Sequence, residues 1–173
     1  MTAADADRTA RLGLGALVLC TAVFLGVWGW AWAALPPDGV VHHIGLDGPD
    51  RTGTRGGILW PLLLLGPPLM LGIRWLIAVV VRTGDGTGLN YPHKAYWLAP
   101  ERRDAFRRRV VGELDLVWGA TLLLLAGGLV EVVRVTEDRD APSVMFPTLG
   151  VYLAFVGWWM WWIVSRSRPP RRP

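Results

Sequence analysis

Residues 12–35 read LGLGALVLCTAVFLGVWGWAWAAL, and this stretch contains no charged side chain. A helix needs about 20 consecutive, mostly apolar residues to cross the hydrocarbon core of a bilayer. Three further stretches of suitable length follow at residues 58–81, 110–133 and 144–164. The sequence therefore predicts an all-α integral membrane protein with four transmembrane helices.

The first stretch also has an alternative interpretation, as the apolar core of a cleaved signal peptide. Ala31, Trp32 and Ala33 supply the A-x-A pattern that such peptides carry at their cleavage site. Signal cores are usually about 7 to 15 residues long, and this stretch is longer and rich in tryptophan near its end. We therefore predict that the first span is retained.

The composition supports a membrane protein and excludes several other classes. Apolar residues make up 52% of the chain and charged residues 18%, whereas soluble domains contain about 25% charged residues. This composition excludes a disordered chain, because disorder requires low hydrophobicity and high charge. The single cysteine, Cys20, excludes an intramolecular disulfide and a CxxC redox site.

Lysine and arginine are distributed unevenly among the segments outside the spans. Thirteen lie before the first span, between the second and third, or after the fourth, and only four lie in the other two connections. Because positive charge resists translocation, both termini and residues 82–109 are predicted to be cytoplasmic. The predicted parts are a cytoplasmic tail at residues 1–11, a membrane domain at residues 12–164 and a basic cytoplasmic tail at residues 165–173.

The predicted partners follow from this arrangement. The tail SRSRPPRRP directly follows a span, which favours the anionic headgroups of the lipid bilayer over nucleic acid. Ala22, Gly26, Gly29 and Ala33 are spaced by four and three residues in the first span, so another helix can approach closely. Whether that helix belongs to this chain, to a protein partner or to a second copy in a homo-oligomer stays open.

Three charged residues inside the spans are the strongest functional candidates. From a helical rise of about 1.5 Å per residue, Arg74 lies roughly 12 Å inward of Arg82, and Asp115 roughly 9 Å inward of Arg109. We therefore predict an intramembrane pair between Arg74 and Asp115, with Glu113 as the second choice. Glu113 is also one helical turn from Arg109. A proton or ion pathway is the alternative.

Three prolines, Pro61, Pro67 and Pro68, should kink the second span because they lack backbone donors. Such a kink more commonly serves helix packing. The alternative is that it opens a cavity for a ligand. The connection at residues 36–57 is rich in glycine and proline, which predicts successive turns.

His42, His43, Asp47 and Asp50 are weak candidates for ligands of zinc or copper. Neighbouring loop residues rarely both reach one ion, so we predict that these histidines bond to the turn or titrate at the surface. The sequence contains no GxSxG, HExxH or P-loop motif, and Glu113 and Asp115 point to different helix faces. We expect neither an enzyme nor a bound cofactor.

Two loop motifs resemble those of bacterial membrane proteins of the domain-of-unknown-function 1648 type. The motif residues are Leu35, Pro36, His43, Gly48 and Asp50 in the first connection, and Asn90, Pro92, Lys94, Tyr96, Trp97 and Leu98 in the second. Some of these proteins resemble the SdpI immunity proteins, which protect a bacterium from its own toxin and signal to a repressor. The resemblance implies a multi-pass protein of the bacterial inner membrane. Val40 and Val41 depart from the family's usual proline before the histidine.

We therefore expect a non-enzymatic immunity, sensor or accessory factor that acts through helix and loop contacts. The alternative is a small transporter or permease subunit that uses the kinked second span and Arg74.

Overall fold

The computed structural model describes residues 3–43, 51–83 and 91–167. Along these ranges it forms α1 Ala3–Ala34, β1 Val40–His43, β2 Arg51–Gly53, α2 Arg55–Leu65, α3 Pro67–Thr83, α4 Lys94–Trp97, α5 Arg103–Glu137 and α6 Met145–Arg166. Four helical units, α1, α2 together with α3, α5, and α6, are long and apolar enough to cross a membrane. The prediction of an all-α membrane protein with four such helices agrees with this architecture.

The helices alternate in direction. α1 and α5 run parallel, since Gly13 meets Gly112 and Cys20 lies beside Gly119. α6 runs antiparallel to α5, because Trp159 bonds to Glu113 whereas Thr148 contacts Gly127. α3 also runs antiparallel to α5, because Pro67 and Leu122 line one cavity whereas Val79 and Arg108 line another. α1 and α5 therefore begin, and α3 and α6 end, at the same end of the bundle. We call this the basic end because Arg107 and Arg108 lie there.

α1 begins at Ala3, nine residues before the predicted span. The added residues are alanine-rich, which favours a helix, and Asp5 lies in the first turn, where the helix dipole favours an acid. Ala6 is fully buried. Residues 3–11, which belong to the predicted cytoplasmic tail, are thus helical and continuous with the first span.

The second predicted span is divided into α2 and α3 at Gly66. Pro67 and Pro68 occupy the first turn of α3, where a missing backbone N–H costs nothing. Pro61 lies inside α2 without ending it. Two of the three prolines therefore mark the break, and Gly66 (φ −76°, ψ −114°) has a non-helical backbone conformation there.

The core lies mainly between α1 and α5. Phe24 and Leu59 are fully buried there together with Leu122 and Leu129. α6 contains no buried residue, so it packs at the edge of this core. Its outer surface is apolar, as expected for a helix that contacts lipid.

A very close helix contact joins Gly13 of α1 to Gly112 of α5. A Cβ atom built at Gly112 would lie 2.7 Å from the Ala10 Cα and 2.7 Å from the Thr9 carbonyl oxygen. A Cβ atom built at Gly13 would overlap the Gly112 carbonyl oxygen. Only glycine permits two backbones to approach this closely.

The small residues predicted to receive another helix lie on a different face of α1. Ala22, Gly26, Gly29 and Ala33 are all exposed, and a Cβ built at Gly26 or Gly29 meets nothing within 4 Å. No described helix of this chain packs on them. The face turned toward α5 is instead the one that carries Phe24 and Ala31.

The connection predicted as turns contains a two-stranded antiparallel sheet. Val40 pairs with Gly53, and Val41 pairs with Thr52. The Val41 N–H also donates to Thr136 Oγ1 at 3.1 Å, which fastens the hairpin to the end of α5. The β-branched pair Val40-Val41 was the local signal for this strand.

Candidate functional site

Arg74 of α3 and Asp115 of α5 form a two-pronged ion pair. Arg74 Nε lies 2.7 Å from Asp115 Oδ1, and Arg74 Nη2 lies 3.3 Å from Asp115 Oδ2. The Asp115 side chain is 1% exposed and the Arg74 side chain 32% exposed. The structure therefore brings together the two residues whose depths match, and it does so with the parallel geometry that guanidinium and carboxylate groups favour.

Glu113 has a different partner on its own helix. Arg109 Nε lies 2.6 Å from Glu113 Oε1, and both side chains are almost completely buried. Arg109 also donates to the Arg166 carbonyl oxygen at 3.3 Å. This pair joins the start of α5 to the end of α6.

Tyr91 approaches the second carboxylate oxygen of Glu113. Its hydroxyl lies 3.4 Å from Glu113 Oε2. Burial of the ring, followed by the negative charge of Glu113, raises the pKa of Tyr91 to about 12. The tyrosine is therefore neutral at physiological pH, and its hydroxyl donates a hydrogen bond to the carboxylate.

An aromatic cluster covers the start of α5, and we call it the Trp97 cluster. Its buried members are Trp97, Phe106 and Val110, with Tyr91, Tyr96, Leu98 and Leu114 packed against them. The Trp97 Nε1 donates to the Ser167 carbonyl oxygen at 3.0 Å. Arg102 lies over the Tyr96 ring at 4.0 Å. The cluster ties the second connection to the ends of α5 and α6.

The third acid of this span, Glu131, also has a structural partner. Its Oε2 accepts the Val144 N–H at 2.8 Å, just before α6 begins. At the basic end, Trp159 Nε1 donates to the Glu113 carbonyl oxygen at 3.0 Å. α6 is thus fastened to α5 by polar contacts near both of its ends.

Arg55 has a comparable role at the opposite end of the bundle. Its Nη1 donates to the carbonyl oxygens of Trp32 at 2.9 Å and Leu35 at 3.2 Å. These carbonyls lie at the C-terminus of α1, where backbone acceptors lack helical partners. The guanidinium also lies 4.6 Å from the Trp32 ring centre. In the sequence, Arg55 is recognisable only as one of the four basic residues in the first and third connections.

The candidate metal ligands are not assembled into a described site. β1 ends at His43, and the structure describes the backbone but not the side chains of His42 and His43. Asp47 and Asp50 lie outside the described residues. Across residues 3–43, 51–83 and 91–167, no three His, Cys, Asp or Glu side chains are grouped to hold a metal ion.

The residues of the two family-like motifs have separate structural roles. Leu35 is buried and its carbonyl accepts Arg55, and Pro36 follows it at the end of α1. Lys94 begins α4, and Tyr96, Trp97 and Leu98 belong to the Trp97 cluster. Pro92 lines a cavity beside Glu113. Gly48, Asp50 and Asn90 lie outside the described residues.

Several contacts were not found by sequence reasoning. The Gly13–Gly112 contact joins glycines that are inconspicuous in a glycine-rich chain, and the Trp97–Ser167 bond spans 70 positions. For the Trp97–Ser167 hydrogen bond, the sequence offers only a tryptophan that lies near basic residues at a predicted bilayer interface.

The architecture defines the protein's class as a multi-pass helical membrane protein with one ion pair between α3 and α5 and a second near the start of α5. No family model matches the chain, and neither a curated protein nor a solved structure matches it. The resemblance to the domain-of-unknown-function 1648 type stays a prediction from its two loop motifs.

Proposed function

We infer that this protein is a non-enzymatic accessory factor of the bacterial inner membrane, of the immunity or sensor kind, that acts through contacts of its helices and loops. The observation that carries this proposal is the use of the acids in the third span. Asp115 pairs with Arg74, Glu113 pairs with Arg109, and Glu131 accepts a backbone N–H. These contacts help to hold the helices together, which supports a structural role for the acids. We therefore assign the function to the exposed surfaces of the helices and loops.

The small-residue face of α1 is the surface on which a partner helix would pack. Gly26 and Gly29 lie directly opposite the contact with α5 and are open to a close approach. With a photo-crosslinking amino acid in place of Gly29, we expect a discrete protein adduct in membranes. Its size on a denaturing gel distinguishes a second copy from another protein.

The matched control has the same crosslinker in place of Leu64, which is 62% exposed on α2. That position should yield only lipid adducts. If neither the Gly29 position nor the Leu64 position yields a discrete protein adduct, the proposal that a partner packs on this face of α1 is wrong.

The proposed orientation has both termini and the second connection in the cytoplasm. It rests on the unequal distribution of basic residues. In a Cys20→Ala background, an impermeant thiol reagent applied outside intact cells should modify Asp47→Cys and spare Lys94→Cys. The reverse pattern would invert the proposed topology.

A transporter is the second candidate, because a cavity of about 420 Å³ is lined by Arg74 and Asp115, and Arg74 lies about two helical turns beyond the break at Gly66. The accessory-factor proposal predicts no proton flux above that of empty liposomes when the protein is reconstituted under a pH gradient. Flux in the wild type that Asp115→Asn abolishes without lowering the melting temperature would favour the transporter.

A further inference from the structure

The cavity at the basic end has a distinctive chemical lining. Arginines from three helices face it: Arg11 of α1, Arg74 of α3, and Arg107 and Arg108 of α5. Asp115, which also lines it, is paired with Arg74, and Arg108 lies 2.7 Å from Asp7. Two of the four guanidinium groups are thus balanced by carboxylates, which leaves a net positive lining suited to an anion.

The rest of the wall is apolar and continues to the outer surface of the bundle. Leu14 and Trp75 line the cavity and are 47% and 68% exposed, respectively. Ala78 and Val79 line it from α3. A small soluble anion would leave this apolar wall uncovered. An amphiphile with an anionic head would meet both parts of the lining.

The depth of the arginines fits a headgroup. Arg11 precedes the apolar stretch of α1, and Arg107 and Arg108 precede that of α5. These positions correspond to the level of phosphates at a bilayer surface, where arginine binds phosphate oxygens through several N–H groups. Leu14 and Trp75 lie deeper, at the level of the acyl chains.

We propose that the cavity between α1, α3 and α5 is a binding site for one anionic phospholipid, with its phosphate at Arg11 and Arg107 and an acyl chain along Leu14 and Trp75. This site goes beyond the proposed accessory function and does not depend on it. Arg74 lines the deeper part of the cavity, and its ion pair with Asp115 fixes the position of its guanidinium group.

The test uses the full chain in neutral detergent and native mass spectrometry. Dioctanoyl phosphatidylglycerol should bind at least about tenfold more tightly than dioctanoyl phosphatidylcholine, as expected for more than one guanidinium contact at about 1 kcal/mol each. This comparison needs no variant. Equal affinity for the two lipids would overturn the proposal.

Two double variants locate the site. Arg11→Gln with Arg107→Gln should weaken binding of phosphatidylglycerol roughly thirtyfold, or about 2 kcal/mol at 1.4 kcal/mol per tenfold. Arg8→Gln with Arg134→Gln removes the same charge outside the cavity lining and should change binding less than about threefold. Equal losses in the two doubles would show a diffuse charge effect and contradict the site.

Two further measurements separate lipid binding from a loss of stability and from binding of a soluble phosphate. Arg11→Lys with Arg107→Lys retains the charge, so it should bind more tightly than the glutamine double even if glutamine lowers stability. Millimolar glycerol 3-phosphate should not displace the lipid, because it cannot cover Leu14 and Trp75. Displacement at that concentration would assign the cavity to a soluble phosphate and overturn the lipid proposal.

Discussion

Replacement of Arg74 by alanine is expected to lower the free energy of unfolding by about 3 kcal/mol, because the buried Asp115 carboxyl group would lose the partner of its ion pair. Breaking a buried pair from one side typically costs about 3 to 5 kcal/mol, and a charge at the centre of a span about 2.5 to 3.5 kcal/mol. Asp115 is 1% exposed, so water cannot easily replace the guanidinium. Reversible unfolding in mixed micelles measures the loss.

A double-mutant cycle tests the pairing itself. Arg74→Ala and Asp115→Ala should be coupled by about 1 to 3 kcal/mol, since the double variant leaves neither charge alone. If Arg74 reached the headgroups independently, the two losses would add. Additive losses would therefore contradict the ion pair.

The Asp7–Arg108 pair offers a matched control cycle. Its atoms are also 2.7 Å apart, but the two side chains are 47% and 41% exposed. Solvent screens such a pair, so its coupling should stay below about 1 kcal/mol. A control coupling as large as that of the buried pair would show that the assay reports general charge effects.

Gly112→Ala is expected to destabilise the protein by about 1 to 3 kcal/mol, the usual range for overpacking. The added methyl group would meet backbone atoms of Thr9 and Ala10 at 2.7–2.8 Å, and a backbone cannot move aside as a flexible side chain does. α1 and α5 must therefore separate along the core that they share. The same unfolding assay measures this change.

Gly128→Ala is the control within the same helix. A Cβ atom there meets nothing within 4 Å. Alanine has a higher helix propensity than glycine by about 0.8 to 1 kcal/mol, so this substitution should be neutral or stabilising. If both variants behaved alike, the close contact at Gly112 would have no energetic importance.

The sequence by itself determined the four apolar helices and part of the charge pairing. A bilayer fixes the length of an apolar span, and the constant helical rise converts residue number into depth. Arg74 and Asp115 could therefore be matched by depth before their distance was known. Arg109 and Glu113 could be matched because residues four apart share one helix face.

Only the tertiary structure decided how the helices are rotated and paired. From Leu12 onward, α1 presents almost only apolar or small residues around its circumference, so its pattern does not distinguish the face that packs against α5 from the face that meets lipid. The small face at Gly26 and Gly29 proved to be exposed, while Gly13 meets Gly112. The reason is physical: length and depth are properties of one helix in a bilayer, whereas a close contact depends on the shapes of two surfaces that only the folded chain brings together.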